Sequence, residues 1–163
     1  MGKGFKKLTV VFLAYLAIAA IFTYPLIFKL SSSVWGNPGD NSGFLTSGFG
    51  GVALEPLVSW TGQLVALLFG NTVAFNLLTF LSFPLAGVTC YCLVEYVGRQ
   101  MTDVRRQKTE VKDHPTSDIR HPAFVAFVSG LVFSFSPYHF WQSYHHFTLG
   151  QVQWLPLFFL ALL

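Results

Sequence analysis

Charge is scarce in this chain: Asp, Glu, Lys and Arg together make up 10% of its 163 residues, where a soluble domain carries about 25%. A globular protein of this length needs charge to cover its surface, so the shortage argues against an ordinary soluble fold and makes lipid the missing solvent. Cysteine is nearly absent too. Cys90 and Cys92 are the only two, and on a helix they point about 200° apart. They neither bridge nor chelate, and they give no argument for an oxidising compartment or for zinc. No H-E-x-x-H or other zinc spacing occurs, so no metal ligands are assigned. The net charge of +3 does not indicate nucleic acid, because the basic residues form no stripe interleaved with stacking aromatics.

Apolar residues are abundant instead, at 53%, with eighteen Phe among them. The basic residues fall in two blocks, Lys3, Lys6 and Lys7, then Arg99, Arg105, Arg106, Lys108, Lys112 and Arg120, with Lys29 alone between them. That is the pattern of cytoplasmic membrane flanks. Leu8 to Phe28 is an apolar run of about the 20 residues that cross hydrocarbon, which makes a first span over 8–28 with the N-terminus inside. A cleaved signal peptide, suggested by Ala17-Ile18-Ala19, is disfavoured because the apolar run continues beyond that site.

Ser31 to Gly51 is the one sizeable polar interruption in the first half, an external loop with Asp40 at its centre. Asn37-Pro38-Gly39-Asp40 carries the chemistry of a tight turn. Residues 53–69 read as a one-faced helix: Leu54, Leu57, Val58, Thr61, Leu64, Val65 and Leu68 on one side, Glu55, Ser59, Gly62, Gln63 and Ala66 on the other. If this segment crossed the membrane, the basic loop 98–120 would lie outside, against the positive-inside bias. It is therefore expected to stay external as a juxtamembrane helix. The second span is 72–97, with a kink at Pro84 and a small-residue seam of Ser82, Ala86 and Cys90. Glu95 near its end is placed to pair with Arg99. The polar loop 98–120 lacks large apolar residues and is expected to be mobile.

The third span runs over about 121–138 and ends near Ser136-Pro137, with Ala126, Gly130 and Ser134 as a second seam. Beyond it, Tyr138 to Trp154 is dense in aromatics and histidine without one charged residue. The aromatics read as a headgroup belt. His139, His145 and His146 are placed to donate hydrogen bonds to a phosphate or a sugar, with His139 and His146 on one helix face. A fourth apolar segment over 150–163 holds roughly ten apolar residues, too few to cross a bilayer, and the chain is expected to be incomplete. The fold class is all-α, a polytopic transmembrane bundle.

TYPLIFKL followed by a loop with Pro-Gly-Asp, Phe-Ser-Pro-Tyr at the end of the third span and Gln-Trp-Leu-Pro at the opening of the fourth together resemble the N-terminal region of GT-C superfamily membrane glycosyltransferases. YfhO-like and dolichyl-phosphate-mannose mannosyltransferase-like proteins are among these. The resemblance runs over nearly the whole chain, although most of it is apolar sequence. It implies a multispanning enzyme of the bacterial inner membrane that transfers a sugar from a polyprenyl-phosphate carrier on the outer face. It also implies a catalytic acid in the first external loop, at Asp40. Tyr138, His139, His145, His146, Gln151 and Glu55 are then the substrate-binding candidates; no cofactor is assigned. The expected partners are the bilayer, the lipid-linked sugar and further C-terminal spans, with no nucleic acid. The alternative class is a non-catalytic membrane scaffold or a transporter subunit.

Overall fold

The structure, a computed structural model, describes residues 2–49, 56–109 and 122–163. Among these residues every regular element is helical: α1 (Lys3–Phe22), a 3-10 turn (Leu26–Phe28), α2 (Pro38–Thr46), α3 (Pro56–Phe69), α4 (Asn71–Thr109), α5 (Pro122–Ser134), α6 (Pro137–His145) and α7 (Trp154–Leu162). Three stretches are long and apolar enough to cross a membrane: Gly4–Phe22, Asn71–Val104, and Pro122–His145 taken across the α5–α6 break. Contact with a lipid bilayer follows from that length and composition.

The bundle is organised around α4. With 39 residues it is about 58 Å long, well beyond the roughly 30 Å of a hydrocarbon core. Its excess is the polar stretch beyond Gly98. The helix therefore takes in 98–109, the first half of the loop expected from composition, because Arg, Gln, Lys and Met are good helix formers and extend a helix already nucleated by the span. Residues 110–121, including His114 and His121, lie outside the described residues.

α1 and α5 both run antiparallel to α4. At one end Lys7 Nζ lies 2.6 Å from Glu95 Oε1, and Arg99 bonds the same oxygen. In the middle the Tyr15 ring lies against Gly87 and Gly130. At the other end Ala19 and Leu26 cluster with Phe80 and Phe83. A Cβ on Gly130 would collide with the Tyr15 hydroxyl and the Gly87 carbonyl, so α4 and α5 meet here at backbone distance. Ser82, Ala86 and Cys90 on α4 are buried, as are Ala126, Gly130 and Ser134 on α5. The small residues permit the approach, and Tyr15 fastens it by donating to the Phe127 carbonyl at 2.7 Å and stacking on the Phe127 ring at 4.9 Å. α4 runs on through Pro84, and the hydroxyls of Ser82 and Ser134 bond the carbonyls of Thr79 and Phe83 in the turns around it.

α1 ends and α4 begins at the same end of the bundle, so 23–70 leaves and returns there. This is termed the loop end, and the Lys7–Glu95–Arg99 end the basic end. The expected turn at 37–40 is instead the start of α2. Pro38 opens that helix, a position where its missing N–H costs nothing, and the positive φ of the region falls on Gly36 at 102°. On α3 the face carrying Val58 and Gly62 is turned inward. A Cβ on Gly62 would run into the Phe49 ring, and the Ser59 hydroxyl donates to the Phe49 carbonyl at 3.2 Å. Ser59, Gly62 and Ala66 of the small and polar strip pack on protein together with Val58 and Val65, which were expected on the apolar face, while Gln63, Leu57, Trp60, Leu64, Leu67 and Leu68 are exposed. Glu55 lies outside the described residues.

Candidate functional site

Two devices hold the loop end in shape. The first is Asn76, fully buried on α4. Its amide nitrogen donates to the Leu30 carbonyl at 2.8 Å and the Ser33 carbonyl at 2.6 Å, and its amide oxygen accepts the Trp35 N–H at 2.9 Å. One side chain thereby fixes the path of residues 30–35, whose backbone groups have no ladder or helix to satisfy them. The second is an aromatic cluster of Phe44 from α2, Phe49, Phe75 from α4 and Phe147, with ring centroids 4.8 to 5.9 Å apart. It clamps α2 between α4 and the segment that follows α6.

Asp40 takes its place in the first turn of α2; its side chain lies outside the described residues. Three residues before it, the Asn37 N–H donates to the Tyr144 carbonyl at 2.9 Å, so the start of α2 is tied to the last turn of α6. The structure thus brings the acid-bearing helix and the imidazole-bearing helix together at one end. Trp35 strengthens the junction, meeting Phe140 and Tyr144 edge to face at 5.8 and 5.9 Å.

The three histidines part company. His145 is half-buried in the last turn of α6, its ring 4.1 Å from that of Trp141. His146 is the C-cap, with extended backbone, so it shares no helix face with His139: α6 ends one residue too early for the seven-residue spacing to act. His139 is fully buried. Its Nδ1 lies 2.7 Å from the Ser134 carbonyl, its Nε2 lies 3.1 Å from Ser82 Oγ, and its ring stacks on Phe83 at 4.3 Å. Tyr138 is exposed, and Gln151 is buried, its oxygen accepting from Gln153 Nε2 at 2.8 Å.

An aromatic cleft of about 550 Å³ opens beside α6, lined by Phe22 at the end of α1 and by Phe135, Phe140, Trp141, Tyr144 and His145. His145 is the one imidazole on its wall, beside the phenol of Tyr144. Outside the lining of the cleft, Ser143 Oγ on the buried face of α6 and Gln153 Oε1 are buried without a hydrogen-bond partner, an expensive arrangement away from water. Among the described residues no group of three His, Cys, Asp or Glu is placed to hold a metal ion. Sequence reading passed over Asn76 and Thr79. Their signal is a polar stripe at 76, 79 and 82, the i, i+3, i+6 spacing of one helix face inside an apolar span. No family model, no curated protein and no solved structure matches the chain.

Proposed function

We propose that the chain is the donor-facing part of a GT-C-like membrane glycosyltransferase of the bacterial inner membrane, with its N-terminus cytoplasmic and its loop end on the outer face. It takes a sugar from a polyprenyl-phosphate carrier. The observation that carries this reading is the Asn37–Tyr144 bond, which sets the Asp40 turn of α2 against the histidine-bearing end of α6. Asp40 is the general base for the acceptor hydroxyl. The activated oxygen attacks the anomeric carbon, the bond to the carrier phosphate breaks, and the phosphate leaves with the electron pair. His145 and His146 donate hydrogen bonds to that phosphate. The aromatic cleft lies beside them, and its apolar wall suits an isoprenoid chain entering from the bilayer.

Asp40→Asn tests the assignment in vesicles containing the chain, a polyprenyl-phosphate hexose and a hydroxyl acceptor. A positioned general base contributes about 100-fold or more to rate; transfer undiminished in the variant would remove Asp40 from the catalytic role. The second reading, a non-catalytic scaffold or transporter subunit, is favoured by one observation. An acid in the first turn of a helix is what any helix start prefers, and Asp40 occupies such a turn.

A further inference from the structure

Every group on α6 is placed by the break that separates it from α5. Pro137 has no N–H and disfavours helical geometry at the residue before it, so α5 stops at Ser134 and the helix restarts at Pro137. The Ser136 hydroxyl caps the restart, accepting the His139 N–H at 3.3 Å. The break also strands carbonyls in the last turn of α5. That of Ser134 is met by the His139 ring, whose Nδ1 lies 2.7 Å away. A carbonyl only accepts, so Nδ1 carries a proton. On its other side the ring reaches Ser82 of α4 and lies flat on Phe83. A single imidazole with no exposed surface therefore touches α4, α5 and α6 at once.

The hydrogen bonds of this joint can be drawn with the ring charged or neutral. Ser82 Oγ lies 2.7 Å from the Thr79 carbonyl as well as 3.1 Å from His139 Nε2, and it has one proton to give. With a neutral ring, Ser82 donates to Nε2. With a charged ring, Nε2–H donates to Ser82, and the hydroxyl turns to Thr79. No heavy atom has to move between the two. The groups touching the ring, Ser82 and Phe83 from α4, Ser134 from α5 and the backbone of Gly150, are all uncharged.

We infer that His139 is a positioning residue: with Ser82 and Ser134 it fixes α6 against α4 and α5, and so sets where Tyr144 and His145 stand relative to the start of α2. Its effect on transfer rests on the glycosyltransferase reading. Its effect on helix placement does not.

The test is therefore read first as distance. In a Cys90→Ala, Cys92→Ala background, spin labels are placed at two exposed positions, Leu67 on α3 and Tyr138 on α6, in the full chain in nanodiscs. The parent gives a narrow distance distribution. His139→Phe keeps the ring volume and the stack but loses both nitrogens, and the distribution broadens or shifts. His139→Asn keeps a donor at the position of Nδ1 and restores it. A second readout covers a His139→Phe chain that fails to fold: in Ser82→Ala the ¹⁵N resonance of His139 Nε2 moves while that of Nδ1 stays. A folded His139→Phe chain with the parent distribution, or a Ser82→Ala chain with an unmoved Nε2 resonance, overturns the inference. Where transfer is measured as well, His139→Phe lowers it by up to about 100-fold, the scale set by a misplacement near 1 Å. Loss of the distance effect with transfer intact would fail the positioning role alone, whereas absence of transfer in the parent would fail the enzymatic reading alone.

Discussion

At the level of single residues, the bundle depends on side chains that are small or fully engaged. Gly130 sits where α5, α4 and the Tyr15 hydroxyl converge, and a methyl there must push on backbone. Gly130→Ala is expected to destabilise the chain by about 1–3 kcal/mol, the usual cost of overpacking. Gly98→Ala is the control: no atom lies within 4 Å of the added carbon, and the substitution is neutral or stabilising by up to about 1 kcal/mol. Unfolding midpoints in detergent separate the two. Asn76 makes a different prediction. Asn76→Asp keeps the acceptor for the Trp35 N–H but removes both donors to Leu30 and Ser33, so it is expected to cost about 2 kcal/mol or more. The loss should show as faster amide exchange over 30–35, and unchanged exchange there would contradict the staple.

Among the elements, sequence and structure agree where apolar length decides and part where local geometry does. That three helices are long and apolar enough to cross was legible because an apolar run of this length has few alternatives, although the first ends at Phe22 and not Phe28 and the third stretch runs on to His145; both small-residue seams were legible because a four-residue repeat stays on one helix face. The turn at Asn37 to Asp40 was misread because Pro followed by Gly and Asp opens a helix as readily as it closes a turn. The choice falls to the Phe44 anchor further along α2, which the local pattern does not contain. The inward face of α3 was legible as a small and polar strip. Val58 was assigned to the opposite face, since a wheel ranks residues by polarity and does not know that the Phe49 ring needs a glycine to lie against. Glu95 was expected to meet Arg99. Its second partner, Lys7, is 88 positions away, beyond any local pattern. Glu95→Gln removes both pairs. Because the Lys7 and Arg99 side chains are 41% and 69% exposed, the expected cost is below about 1 kcal/mol and shrinks in high salt. A larger, salt-independent loss would show that the triad is shielded from solvent. Of the candidate site, the sequence located Asp40 and the histidines on one side of the bundle. It did not foresee that His139 is spent inside, because the α5–α6 break turns a stranded carbonyl toward the ring.

For the whole molecule, α1, α4 and α5 form an alternating bundle in which 23–70 leaves and returns at one end. Lys7 and Arg99 sit at the other. The proposed orientation, which rests on the positive-inside rule, puts the basic end on the cytoplasmic side, and a cysteine at Gln107 is then expected to resist an impermeant thiol reagent in intact cells while one at Ser32 reacts. The reverse pattern would invert the bundle. The central claim is that the loop end receives a lipid-linked sugar. A polyprenyl-phosphate hexose carrying a photoreactive group in its isoprenoid chain tests it most directly, by irradiation with the full chain in vesicles and peptide mapping. The account predicts labelling within Pro137–His145, suppressed by unlabelled polyprenyl-phosphate hexose and not by added phosphatidylcholine. Labelling that is spread over all exposed apolar faces, or that the unlabelled donor does not suppress, would contradict it.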